Sequence, residues 1–144
     1  MGDLYEADVL EWSERQAELL RRRAAGELVN DAELDWPNIA EEIESVGRDQ
    51  LHAVRSLLRQ ALLHMLKAEA WPLSRDAPTW RADAIRFRAD AADRYTPSMR
   101  QRLDLDRVFR QALRALPDSI DGQPPSPVPE ICPRTLDDLL SDAP

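Results

Sequence analysis

The stretch Asp35–Pro72, DWPNIAEEIESVGRDQLHAVRSLLRQALLHMLKAEAWP, decides the fold class of this 144-residue chain. Asp35 can cap the free N–H groups at a helix start, and Pro37 is tolerated in the first helical turn. No other proline occurs before Pro72, so the pattern predicts one long helix over residues 37–70.

One face of this helix is apolar along its length. Its members recur at helical spacing and are Ile39, Ile43, Val46, Val54, Leu57, Leu58, Ala61, Leu62 and Met65. Leu63 and Leu66 add apolar surface near the C-terminal end, so we expect that end to be buried nearly all round, like a central bundle helix. Gly47 interrupts the stripe, where its missing side chain permits close approach of a neighbouring element.

Four other segments predict helices. They are residues 4–25, residues 78–94, a segment that begins at Thr96-Pro97 and ends before Pro117, and a short helix that begins at Thr135. The segment Pro117–Pro133 holds six prolines in 17 residues, which suits an extended strap or a mobile linker. We therefore predict an all-α fold. A bundle of about four helices covers residues 1–116, and residues 117–144 form a Pro-rich strap and a short final helix packed on or next to the same domain.

The composition favours a small helical globular protein. Hydrophobic residues make up 43% of the chain and only four residues are Gly. The single cysteine, Cys132, excludes an internal disulfide. No apolar run approaches the roughly 20 residues of a membrane span, and the N-terminus is acidic where a signal peptide would be basic. We expect a cytoplasmic protein without a membrane partner.

Charge is distributed unevenly around a net value of −8. Residues 1–50 carry 14 acidic and 5 basic side chains, whereas residues 75–114 carry 10 arginines and 6 aspartates. The overall negative charge disfavours nonspecific binding to nucleic acid. Packing of acidic helices against basic ones accounts for the asymmetry.

Three glutamates, Glu41, Glu42 and Glu44, crowd the first part of the long helix. On a helical wheel they point in different directions, so they cannot jointly hold one ion. Glu44 precedes Arg48 by four residues, a spacing that favours an ion pair. We interpret the three as a solvated or salt-bridged flank, with a buried network and a ligand site as open alternatives.

The candidate ligand or metal residues are Glu44, Arg48, His64, Arg81 and Arg88. A lone histidine such as His64 is more often hydrogen-bonded within a helix seam than a ligand. A carboxylate-bridged metal site in a bundle needs Glu-x-x-His spacing on two helices, and this sequence lacks it. We therefore expect neither a metal nor another cofactor.

Other chemical signals are weak. The sequence has no phosphate-binding loop, dinucleotide fingerprint or nucleophile elbow. Cys132 lies in the strap with only Arg134 as a basic neighbour, so we interpret it as a small hydrophobe rather than a nucleophile. The arginines of residues 78–114 alternate with aromatics that could stack on bases, although those aromatics share the stripe that must bury the helix.

Several segments together resemble the bacterial domain of unknown function 29 family. They are LDWPNIAEEIESVGR at Leu34–Arg48, LLHMLK at Leu62–Lys67, the Trp80-Arg81 helix start with Ile85 and Arg88 after it, and CPRTLDDLL at Cys132–Leu140. LYEADVLEWSERQAELL near the N-terminus is similar too, so the resemblance spans nearly the whole chain. At Arg134 the sequence differs, since the family pattern favours Trp after Cys-Pro. The resemblance implies an all-α fold and supplies no established activity or catalytic residues.

We favour a noncatalytic module that binds a protein partner or a second copy of itself over an enzyme. Two alternatives remain. One is a metal- or ligand-binding helical bundle, or an enzyme, that uses Glu44, His64 and an arginine. The other is nucleic-acid binding by the arginine-rich helices of residues 78–114.

Overall fold

The computed structural model describes residues 2–141, and the side chains of residues 4–141. Over this range the chain forms six α-helices, two 3-10 helices and one isolated bridge, with no strand. The α-helices are α1 (Gly2–Ala7), α2 (Val9–Ala24), α3 (Trp36–Ala70), α4 (Ala77–Arg94), α5 (Leu105–Arg114) and α6 (Leu136–Leu140). The 3-10 helices cover Asp31–Glu33 and Pro97–Arg102. The predicted all-α fold class is confirmed. None of these helices is long and apolar enough to cross a lipid bilayer.

The long helix α3 forms as predicted, but its apolar stripe is not buried throughout. Val54, Leu58 and Leu62 are almost fully buried near its C-terminal end. Ile43 and Val46, which belong to the same stripe, are 69% and 65% exposed. The described residues therefore leave this part of the stripe uncovered, whereas the C-terminal half of α3 is largely buried, as expected.

Two segments predicted as single helices are each divided. The first divides at Asp8, whose carboxylate accepts a hydrogen bond from the Glu11 N–H at 3.0 Å and caps α2. The second begins as the 3-10 helix after Thr96 and restarts as α5, where the Asp104 carboxylate accepts from the Arg107 N–H at 3.1 Å. In both places a short acidic side chain satisfies a free backbone donor and begins a new helix.

The chain divides into two compact units, Met1–Arg48 and Asp49–Pro144. The first unit has a small core of Trp12, Leu19, Leu34 and Ile39. Gln16 is buried within it, where its amide nitrogen donates to the Glu33 carbonyl at 3.1 Å and its amide oxygen accepts from the Asp35 N–H at 2.9 Å. Both ends of this buried amide are thus satisfied.

The second unit has a larger core formed by the C-terminal half of α3 together with α4, α5 and α6. Its most deeply buried large side chains include Leu58, Leu62, Phe109 and Leu139. The Pro-rich strap is tied to this unit, since the Ser126 N–H donates to the Ala70 carbonyl at 2.8 Å and the Trp71 indole donates to the Gln123 carbonyl at 2.9 Å. The predicted domain boundary at residue 116 falls inside this unit.

Candidate functional site

The second unit contains a cavity of about 880 Å³. Nine of its fourteen lining residues are apolar: Leu62, Met65, Leu66, Ala68, Pro72, Ala84, Ile85, Phe109 and Pro133. The other five are charged: Glu69, Arg81, Arg88, Arg134 and Asp138. A mostly apolar concave surface with a few convergent polar groups is typical of small-molecule sites.

Arg88 is the buried polar residue of this cavity, and it joins α4 to the end of α6. Its Nε donates to the Leu139 carbonyl at 3.1 Å, and its Nη2 donates to the Asp138 carbonyl at 2.7 Å and the Ser141 carbonyl at 3.4 Å. These carbonyls lie at the C-terminal end of a helix, where a positive charge is favourable. The guanidinium therefore positions α6 as one wall of the cavity.

Arg134 and Asp138 enter the cavity from the segment that starts α6. Thr135 and Asp138 form a capping box at the helix start that the sequence predicts, with the Thr135 N–H donating to the Asp138 carboxylate at 3.2 Å. That backbone hydrogen bond, followed by the Thr135 side chain and the charges of Arg134 and Arg88, lowers the pKa of Asp138. Asp138 is therefore ionised at neutral pH, and one of its carboxylate oxygens accepts the capping hydrogen bond.

The two arginines Arg88 and Arg134 oppose one another electrostatically. Burial, followed by the positive charge of Arg134, lowers the pKa of Arg88, although the guanidinium stays protonated at neutral pH. This side of the cavity thus holds two positive charges and one negative charge, that of Asp138, which opposes the lowering of the Arg88 pKa.

Arg81 and Glu69 complete the charged lining. Both side chains are exposed, Arg81 on α4 and Glu69 on α3. Within residues 4–141, neither Arg81 nor Arg134 forms an ion pair. Of the five predicted candidate residues, the structure thus brings Arg81 and Arg88 to the same cavity.

Glu44 and Arg48 lie in the first unit. Glu44 is exposed, and Arg48 donates to the Glu41 carboxylate at 2.5 Å and to the Ser45 hydroxyl at 2.9 Å. The two glutamates at 41 and 44 therefore lie on the solvated flank of α3, and Arg48 pairs with the first of them.

His64 lies in the seam between α3 and α4. Its Nδ1 donates to the Gln60 carbonyl at 2.8 Å, which leaves Nε2 3.9 Å from the Asp83 carboxylate, and its ring lies 5.2 Å from that of Phe87. His64 does not line the cavity. Across the described side chains, no cluster of three or more His, Cys, Asp or Glu residues is arranged to hold a metal ion.

Cys132 is partly buried beside the cavity-lining residues Pro133 and Arg134. Its Sγ donates to the Arg134 carbonyl at 3.3 Å, and burial raises the pKa of the thiol. A thiol that stays protonated is a poor nucleophile.

The aromatic side chains that could stack on nucleic-acid bases are not fully exposed. Trp80 is buried, and Phe87 and Tyr95 are half-buried.

Sequence reasoning missed Arg134, Asp138 and Phe109 as members of a shared site. The sequence CPRT gave one weak signal for Arg134, because this arginine lies between the end of the strap and Thr135, the residue that caps α6. Nothing in the local pattern relates these residues to Arg81, because Phe109 is 28 positions away along the chain and Arg134 and Asp138 are more than 50 positions away.

The fold places the chain in the class of small all-α proteins, and in this chain a long helix, a shorter partner helix and a capped C-terminal helix line an apolar cavity that carries three arginines. The chain belongs to the family described as "Domain of unknown function DUF29", whose pattern matches residues 4–143. No curated protein matches the chain.

A solved structure has the same fold. It is the 1.45 Å crystal structure of an alpha-helical protein of unknown function from Rhodospirillum rubrum, which is 32% identical to this chain. The match has a TM-score of 0.67 and covers 94% of this chain and 88% of the other. The neighbour is thus alpha-helical like this chain, and the descriptions of both the family and the neighbour give their function as unknown.

Proposed function

We propose that the protein is a noncatalytic interaction module that associates with a second copy of itself through one face of α3. The α3 face is defined by Ala40, Ile43, Val46 and Gly47, all of which are exposed. Exposure of Ile43 and Val46 is the observation that carries this proposal. Both lie on the stripe that begins with the buried Ile39, so the stripe continues uncovered beyond the core of the first unit.

The α3 face contains no charged side chain. Helical spacing directs Glu41 and Arg48, which pair with one another, to the opposite side of α3. Glu42 borders the face, and its carboxylate accepts a hydrogen bond from the Tyr5 hydroxyl at 2.5 Å. Glu44 borders the face on its other side and is exposed, so a second copy that packs on the α3 face must leave Glu44 in solvent at the edge of the interface.

Gly47 and Ala40 make the α3 face suitable for close approach of another helix. A Cβ atom built on Gly47 would meet nothing within 4 Å, so no described part of the chain uses the space that the glycine provides. Small residues beside two larger apolar ones allow helix backbones to approach closely while Ile43 and Val46 pack between them.

The small size of the first unit also favours self-association. Six of the nine exposed large hydrophobic side chains among the described residues lie in this unit, whereas its core contains only four buried hydrophobics. A unit of this size buries too little apolar surface to be stable on that account alone. A partner surface of the same kind would cover Ile43 and Val46 in both copies.

Sedimentation equilibrium between about 5 and about 500 μM tests this proposal. We expect a monomer–dimer equilibrium that Ile43→Glu abolishes. Ile85→Glu is the matched control, because Ile85 is a helical isoleucine with 63% exposure in the second unit. The Ile85→Glu variant should dimerise with the same association constant as the unmodified protein.

Salt supplies a second criterion. Residues 1–50 carry a net charge of −9, so two copies repel one another at low ionic strength. Association should therefore strengthen between about 50 and about 500 mM NaCl, whereas nucleic-acid binding would weaken. A monomer at every concentration, or equal loss of association in both variants, would contradict the proposal.

A further inference from the structure

The cavity in the second unit is the strongest feature that self-association leaves unexplained. Its volume of about 880 Å³ lies within the roughly 300–1,000 Å³ typical of small-molecule sites. Leu62, Leu66 and Phe109 are buried side chains that supply an apolar floor, and Ile85 is an exposed side chain on its wall. An occupant of this cavity therefore needs an apolar body.

The charged lining favours an anion. Three arginines, Arg81, Arg88 and Arg134, oppose the two carboxylates of Glu69 and Asp138, so the lining carries a net charge of +1. Glu69 and Arg81 are both exposed, so solvent screens both of their charges. An anionic head group would give Arg81 and Arg134 the ion-pair partner that the described residues do not supply.

We propose that this cavity binds an amphipathic organic anion. The apolar body lies against Leu66, Ile85 and Phe109, and a carboxylate or phosphate head faces Arg134 and Arg81. Arg88 positions α6 and contributes positive charge to the site. This binding activity is independent of the α3 face, so either proposal can fail without the other.

Isothermal titration calorimetry with octanoate and octyl phosphate tests the proposal, with octan-1-ol as the uncharged comparator. We expect saturable binding of one or both anions at a single site, at least about tenfold tighter than octan-1-ol. The anion that binds with the higher affinity, octanoate or octyl phosphate, identifies whether the site prefers a carboxylate or a phosphate head group. Methyl NMR locates the site, because the Ile85 methyl signals should shift and those of Ile43 should not.

The double variant Arg81→Gln, Arg134→Gln should weaken anion binding by about tenfold or more. The matched control is Arg94→Gln, Arg110→Gln, which removes two exposed arginines that do not line the cavity and should leave affinity within about twofold. If the first double variant does not fold, Ile85→Trp provides a second test, because it fills the cavity from an exposed position and should reduce binding of both anions.

Three results would overturn the proposal. They are no saturable binding of either anion up to about 2 mM, equal affinity for octan-1-ol and the anions, and equal loss of affinity in the two double variants.

Discussion

Arg88 makes hydrogen bonds over the longest sequence separations in the site, with carbonyl acceptors 50, 51 and 53 positions away. A guanidinium can serve these acceptors together because its N–H donors are fixed in a planar fork. A buried charge without such partners would be strongly unfavourable. Arg88 therefore explains how a helix of five residues keeps a defined place against α4.

The substitution Arg88→Lys tests this role. A lysine keeps the charge but presents a compact ammonium that cannot reproduce the fork, so the variant should lose about 1.5–3 kcal/mol of unfolding free energy. Amide hydrogen exchange should accelerate at Leu139, whose N–H donates to the Thr135 carbonyl within α6. Urea denaturation and exchange mass spectrometry measure the two effects.

Arg94→Lys is the control, because Arg94 is exposed on the same helix and should tolerate the change within about 0.5 kcal/mol. Unchanged exchange at Leu139 in Arg88→Lys would show that α6 is held by its apolar contacts alone.

At the scale of elements, α3 combines two environments in one helix of 35 residues. Its C-terminal half lies in the core of the second unit, whereas every residue from Val46 to Gln50 is exposed. Gly47 lies in this exposed stretch and has no positive φ that would require glycine. Its backbone freedom therefore only weakens the helix.

Gly47→Ala should raise the unfolding free energy of the monomer by about 0.5–1 kcal/mol. The added Cβ meets nothing within 4 Å, and alanine loses less conformational entropy than glycine on forming a helix. Urea denaturation at low micromolar concentration measures this gain apart from association. Gly122→Ala is the opposite control and should destabilise, because Gly122 has a φ of 76°. A destabilised Gly47→Ala monomer would show that the position is sterically restricted.

At the scale of the whole molecule, the two units differ in how much apolar surface they bury. The larger unit, Asp49–Pro144, contains the main core, including Val54, Leu58, Phe109 and Leu139. The smaller unit contains four buried hydrophobics. The larger unit should therefore account for most of the folding free energy.

A fragment of residues 49–144 should fold without the rest of the chain and show a cooperative thermal transition by circular dichroism. Residues 60–144 form the control fragment, which lacks the fully buried Val54 and Leu58 and should melt without cooperativity. A noncooperative melt of the longer fragment would show that the first unit is needed to complete its core.

The sequence predicted the positions of the two longest helices better than the breaks within other helical segments or the burial of apolar faces. The bounds of α3 and α4 agree with prediction to within one residue, because proline and capping signals lie next to the residues they affect. The restarts after Asp8 and Asp104 were missed, although both aspartates have the residue type and position of a helix cap. In both segments the apolar residues keep helical spacing across the break, so periodicity predicts one helix where the capping aspartate begins a second one.

The candidate site was predicted only in part. Arg81 and Arg88 were named as ligand candidates, and both line the cavity, whereas Arg134 and Asp138 were not named. Gln16 is a polar residue among the apolar positions of α2, and the fold buries it between two backbone groups of a later segment. In each case the partner lies far away in the sequence, where periodicity carries no information.

The sequence by itself determined the all-α class, the long helix α3, the start of the final helix at Thr135, and membership of the family. These features depend on hydrogen bonds and spacings within a few residues, together with the pattern of the whole chain. Only the tertiary structure decided which apolar faces are covered, so that Ile39 is buried while Ile43 is exposed. Burial depends on whether a distant element packs on a face, and that depends on the competition among all the apolar faces of the chain.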